Sequence, residues 1–148
     1  MTNDNKRGFY RLQFIHPLLA DAKLIGFDGL ELDYKMVKAA LLDLSAGGAR
    51  FYTDAPFPDE GNLLVELRFM ALGKEFRLLG LVVRTIRPVE EHYEYCVQFS
   101  LDEADTAALT SIVNQMSIKL RKTPVLSNCS FATEEELLAF MPLRSHSS

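Results

Sequence analysis

Met36-Val37-Lys38-Ala39-Ala40-Leu41-Leu42-Asp43-Leu44-Ser45-Ala46-Gly47-Gly48-Ala49-Arg50-Phe51-Tyr52 is the stretch on which the architecture turns. An apolar run ends at Asp43, Ser45 and a glycine pair, residue types that close a strand and reverse it. A second apolar run resumes at Ala49–Tyr52, so the stretch reads as strand, tight turn and returning strand.

The same pattern continues on both sides. Upstream, Tyr10, Leu12 and Phe14 alternate with Phe9, Arg11 and Gln13, a strand with one apolar wall. Ala22, Leu24 and Ile25 lead to Asp28-Gly29, a hairpin dipeptide, with the return through Leu30–Leu32. Downstream, Ala55–Gly61 is a loop, and Leu63, Val65, Leu67 and Phe69 share a face opposite Glu66 and Arg68. Leu72-Gly73-Lys74 turns the chain into Phe76–Ile86, Pro88 ends that strand, Glu90-Glu91 sits in the reversal, and Tyr93, Tyr95, Val97 and Phe99 alternate through the last one.

Helical signals follow the strands. Asp102 is placed as an N-cap with Asp105 at the third helical position, and Leu109, Ile112, Val113, Met116 and Leu120 recur at helical spacing. This helix should end near Lys122, before Pro124. Thr133 and Glu136 form a capping-box pair for a short helix through Leu137, Leu138 and Phe140, halted by Pro142. Strands first and helices last predict a mainly-β barrel or sandwich with helices packed outside.

With 148 residues, 24% charged and 48% hydrophobic, the chain is one domain's worth of an ordinary globular protein, able to fold around one core without metal or disulfide. Sixteen basic residues against twenty acidic ones leave a net charge of -4. That balance argues against sequence-independent binding of DNA or RNA, and any anion would have to bind at a local arginine cluster. Cys96 and Cys129 lie far apart without a CxxC or a histidine at ligand spacing, and read as free thiols. The polar start Met1–Lys6 lacks the apolar core of a signal peptide, and no apolar run approaches the roughly twenty residues that span a bilayer. A cytoplasmic protein without membrane insertion is the expectation.

His16, His92 and His146 are scattered, and there is no P-loop, HExxH or GxGxxG. No catalysis, metal or cofactor is expected. Two short motifs do carry chemistry. Arg7-Gly8-Phe9-Tyr10-Arg11 is an RxxxR, and Asp43-Leu44-Ser45-Ala46-Gly47-Gly48 is a D/NxSxxG. Positions four apart in an extended segment point the same way, so Arg7 and Arg11 can present two guanidinium forks to one ligand, for phosphate oxygens or the O6 and N7 of guanine. Asp43 and Ser45 share a face, where a carboxylate accepts from guanine N1–H and its amino group. Gly48 permits either positive φ or close backbone approach, and Arg50 is a further candidate for the same site.

The two motifs in this order, ahead of strands and a terminal helix, resemble the signatures of PilZ domains. The resemblance covers about residues 7–122, including the Val97-Gln98-Phe99 strand and the helix after it. It implies a six- or seven-stranded antiparallel β-barrel with a packed C-terminal helix, a bacterial source, and a receptor for cyclic di-GMP that signals to a partner protein. By resemblance, Asp43, Ser45 and Gly48 read the base while Arg7 and Arg11 hold phosphate and stack. The expected division is a flexible lead over 1–6, the barrel and helix over 7–122, and an extension with a short helix over 123–148.

Two rivals stand beside this reading. One is a PilZ-like adaptor working by protein contact without ligand, and the other is a small barrel binding single-stranded nucleic acid, which the acidic balance disfavours. The turn residues of the second motif would also serve a strand end alone. The downstream partner and a homodimeric arrangement stay open.

Overall fold

Alternating apolar residues between turn signals become seven strands in the computed structural model, which describes residues 9–27, 30–31, 36–53, 55–58, 62–86 and 93–136. They are β1 (Leu12–Phe27), β2 (Leu30–Glu31), β3 (Met36–Ser45), β4 (Gly48–Thr53), β5 (Leu63–Ala71), β6 (Lys74–Ile86) and β7 (Tyr93–Phe99), followed by helix α1 (Glu103–Lys119). Neighbours run β2-β1-β3-β4-β7-β6-β5, all antiparallel, and β1 also pairs β5. Six strands therefore close into a barrel, with β2 hung on the far end of β1. Closure leaves no long free edge to template aggregation.

Closure depends on the length of β1. Its first part pairs β3 as far as Lys23↔Met36, and its last part pairs β5 from Asp21↔Arg68 to Phe27↔Leu63. The inward side chains Leu12, Leu24, Leu41, Leu44, Phe51, Val65, Leu67, Tyr95 and Val97 fill the interior. Tyr95 is fully buried, with its ring stacked on Phe57 at 4.8 Å and its hydroxyl accepting from the Phe57 N–H at 2.7 Å. Burying a large amphipathic side chain is favourable only when its polar end finds such a partner.

Three of the expected turns and caps are in place. Leu72 and Gly73 both have positive φ, 48° and 80°, the backbone signature of the two-residue hairpin that matches strand twist. Asp102 accepts from the Asp105 N–H at 2.7 Å, and α1 buries Leu109, Val113 and Met116 against the barrel. Thr133 and Glu136 bond reciprocally, at 2.9 and 3.1 Å, as a capping box should. The expected Asp28-Gly29 turn, the Pro88 and Glu90-Glu91 reversal, and the helix through Leu137, Leu138 and Phe140 fall outside the described residues.

The first strand departs from expectation at its start. Pairing begins at Leu12↔Leu44, so residues 9–11 precede the ladder. Tyr10 is 53% exposed and its hydroxyl accepts from Ser117 of α1 at 3.3 Å, while Phe9 packs on the core instead. Without a pairing strand the alternation of faces has nothing to enforce it.

After α1, residues 128–132 cross the barrel between β1 and the β5–β6 turn. Ser130 donates its N–H to Met70 O at 3.0 Å and its carbonyl accepts from Leu19 N at 2.7 Å, while Ala132 N–H reaches Pro17 O at 3.0 Å. Phe131 bridges Leu18 and meets Phe14 edge-on at 5.9 Å. This belt satisfies backbone groups that β5 leaves unpaired where its ladder with β1 stops.

Candidate ligand-binding site

A β-bulge sets the site. The β3–β4 register advances from Leu41↔Phe51 to Asp43↔Arg50, which leaves Leu42 as an extra residue in β3. One added residue reverses the alternation, so Leu44 keeps its place in the core while Asp43 and Ser45 face outward. A second extra residue, Val83, sits in β6 between Val82↔Val97 and Arg84↔Cys96. Between these irregularities an open cavity of about 430 Å³ lies on the outer wall, lined by Arg11, Asp43, Ser45, Arg50, Cys96 and Gln98 among others.

Charge is arranged in a chain across three strands and the lead into β1. Asp43 is 4% exposed and accepts from Arg11 Nη1, with Arg50 Nε 3.3 Å from its other oxygen. Arg50 in turn gives Nη1 to Glu94 Oε2 at 3.2 Å, and Glu94 is also 4% exposed. Two buried carboxylates thus alternate with two half-exposed guanidiniums, an arrangement in which neither acid is left without a counter-charge. The Arg50 Nε is itself buried without a well-aligned hydrogen bond, so its ion pair with Asp43 is a contact of charge more than of direction.

Ser45 and the glycines divide their work. The Ser45 hydroxyl accepts from Gly47 N–H at 3.1 Å and lies 3.5 Å from Gly48 O, so it braces the Ala46-Gly47 turn while lining the cavity. Gly48 is buried, and it is Gly47 that lines the cavity. The reason for Gly48 is close backbone approach: a Cβ there would come within 2.2 Å of Val97 O. Positive φ is not what this position requires.

Arg11, Asp43, Ser45 and Arg50 thus converge, and Arg7 lies outside the described residues. The sequence reading missed Glu94, Cys96 and Gln98, three outward positions of β7 that alternate with Tyr95, Val97 and Phe99. Alternation alone marks them as outward; only the β4–β7 pairing, Arg50↔Cys96 and Gly48↔Gln98, brings them to this wall. Burial, then the carboxylates of Glu94 and Asp43, push the Cys96 thiol above its ordinary pKa against the pull of Arg50 and Arg84. Arg77 and Arg84 are exposed on β6. Among the described residues no group of histidine, cysteine or carboxylate side chains could hold a metal, and no helix is long and apolar enough to cross a membrane.

Solved structures share this barrel. The apo structure of MrkH from K. pneumonia superposes with a TM-score of 0.58 at 19% identity, covering 76% of this chain and 52% of that one. The PilZ domain of YcgR from Escherichia coli, solved with c-di-GMP, gives 0.52 at 16% identity, covering 78% and 97%. The inhibitor of motility MotI/DgrA of Bacillus subtilis gives 0.54 at 15%, covering 77% and 52%, so the chain spans about half the length of MrkH and of MotI. No curated protein sequence matches the chain. The PilZ domain family model matches residues 5–115, a span that takes in both motifs, all seven strands and most of α1, and on that match the chain belongs to the PilZ domain family.

Proposed function

We propose that this protein is a receptor for cyclic di-GMP that reports binding to a partner protein. The observation that carries the reading is the convergence of Arg11, Asp43, Ser45 and Arg50 on one open cavity of about 430 Å³. A guanine base presents N1–H and an amino group on one edge and the acceptors O6 and N7 on another. Asp43 is an acceptor only, and Arg11 a donor only, so the pair is complementary to both edges and mismatched to adenine. Arg7, the other member of the RxxxR, supplies a second guanidinium for phosphate in this reading.

Binding then proceeds by exchange. Arg11 donates through Nη1 to one oxygen of Asp43. A dinucleotide offers Arg11 a phosphate or the guanine acceptors, and offers Asp43 the guanine donors, so each partner of the ion pair is re-satisfied by the ligand. Arg50 remains on Glu94 and keeps the Asp43 carboxylate compensated through the exchange. The partner is signalled by the movement of the residues around Arg11, which carry the lead into β1.

Isothermal titration of the full chain with cyclic di-GMP tests this, with cyclic di-AMP and Arg11→Ala as controls. Guanine-selective heat that the variant abolishes is the expected result. No heat and no thermal shift at high ligand concentration would overturn the receptor reading in favour of an adaptor that keeps the fold and works by protein contact.

A further inference from the structure

The cavity that holds Arg11 and Asp43 has two unlike sides. Its lining comes from the lead into β1 and then from strands that are neighbours in the order β1, β3, β4, β7 and β6. The charged lining residues, Arg11, Asp43 and Arg50, belong to the lead, β3 and β4. The β7–β6 side contributes Cys96, Val97, Gln98 and Val83, none of them charged. Val83 is there because of the bulge. With Val82 opposite Val97 and Arg84 opposite Cys96, it is matched by no residue of β7, and it is 58% exposed. A bulge re-aims the side chain it carries.

One exposed valine is ordinary by itself. Here it lines a cavity whose described walls hold no aromatic ring, and Val97 and Ala49 are buried, so Val83 is the exposed apolar surface that those walls offer. Gln98, opposite Leu81 on β7, is exposed as well, and its amide is engaged by no other described residue. A cyclic dinucleotide brings two bases on one ring of sugars and phosphates. In the receptor reading the Asp43 carboxylate and the Arg11 guanidinium serve one of them. A hollow of roughly 150 Å³ holds a benzene ring, and this open cavity of about 430 Å³ has room beyond one base.

We propose that the β7–β6 side of the cavity is a second base subsite, where Val83 packs on the face of a purine and the Gln98 amide meets its edge. The proposal rests on the receptor reading, which supplies the first subsite. Apolar side chains serve extruded bases as stacking surfaces, and stacking tolerates any base because every base has a flat face. Gln98 adds an amide with one acceptor and two donors. That amide pairs with N6 and N7 of adenine, and turned over it donates to O6 or N7 of guanine. No carboxylate among the described lining residues lies on this side to demand the guanine donors, and Glu94 on the same strand is buried and given to Arg50. The two subsites therefore differ in stringency. The first takes guanine and rejects adenine, while the second takes either purine, so the ligand class widens to cyclic dinucleotides with one guanine and a second purine.

Calorimetry of the full chain with cyclic di-GMP, cyclic di-AMP and the mixed cyclic guanine–adenine dinucleotide tests this, together with the methyl NMR signals of Val83. The mixed dinucleotide should bind within about threefold of cyclic di-GMP, while cyclic di-AMP is weaker by roughly tenfold to a hundredfold, the worth of one well-made base contact. Saturating cyclic di-GMP should move the Val83 methyl signals by the ring current of the base and leave those of Val125, exposed outside this cavity, in place. Val83→Ser should weaken both guanine-containing ligands roughly threefold to tenfold, as loss of a partly covered apolar side chain does. Its thermal unfolding should match the parent, because the side chain is more than half exposed. Unmoved Val83 methyls in a chain that binds cyclic di-GMP would overturn the second subsite and leave the receptor reading standing. A mixed dinucleotide as weak as cyclic di-AMP would also overturn it. No heat from any of the three ligands would instead sink the receptor reading itself.

Discussion

Arg11 Nη1 lies 2.5 Å from Asp43 Oδ1, joining residues 32 positions apart in the chain. The pairing gives the buried Asp43 carboxylate a counter-charge, and under the proposed receptor reading it is the contact a ligand would exchange.

Arg11→Lys tests whether the fork or the charge matters. Lysine keeps the charge but offers no planar pair of donors. A good bidentate contact to guanine contributes about 1–3 kcal/mol. The expected result is Kd raised roughly tenfold to a hundredfold, since 1.4 kcal/mol is about tenfold. Titration with near-unchanged affinity would rule out bidentate recognition by this residue.

Arg50 should matter for stability as well as for binding. Its removal leaves Glu94, 4% exposed, without its cation and takes one of two from Asp43. Leaving a buried acceptor unsatisfied costs about 1–3 kcal/mol. Arg50→Met should lower the urea midpoint accordingly, and the double variant Arg50→Met with Glu94→Leu should recover most of it, since replacing both partners by apolar groups removes the stranded charge. Additive losses in the double variant would mean the two residues do not act as a pair.

Gly48→Ala places a methyl group where Val97 O already is, at 2.2 Å, and backbone cannot rotate away as a side chain can. Overpacking of this kind costs typically about 1–3 kcal/mol. The expected sign is a lower Tm with weakened amide protection on β4 and β7. Gly47, where the nearest contact would be the Phe9 ring at 3.4 Å, should tolerate alanine better, and equal losses at the two positions would contradict this account.

The Cys96 thiol is held above its ordinary pKa by burial and by the Glu94 and Asp43 carboxylates. The folded chain binds that proton more tightly than the unfolded one. Its stabilising contribution is therefore complete below the unfolded pKa and is lost as pH rises through the raised folded value. Alkaline titration of stability should show a shallower decline for Cys96→Ser. Near neutral pH, Cys96 should react with a disulfide reagent more slowly than a small-molecule thiol, because the thiolate is the reactive form. Saturating cyclic di-GMP should slow it further, with Cys129 unaffected as the internal control, and no protection of Cys96 would place the ligand elsewhere.

What the sequence determined by itself is what depends on neighbours within a few residues. The turn at Ser45–Gly48, the Leu72-Gly73 hairpin, the Asp102 cap and the Thr133 capping box are all local chemistry, and each is where the residue types put it. The mainly-β architecture and the family likeness follow from stringing such signals together. The tertiary structure decided which strands lie side by side and where a residue is inserted. Leu42 and Val83 carry no mark in the sequence that distinguishes a bulge from a regular strand position, yet the extra residue at Leu42 turns Asp43 outward and keeps Leu44 in the core. Likewise nothing local places β7 beside β4, so Glu94, Cys96 and Gln98 join Arg50 and Asp43 only once the barrel closes. The physical reason is that strand register is chosen by burial across the whole barrel, where a slip of one residue exchanges the two faces of a strand.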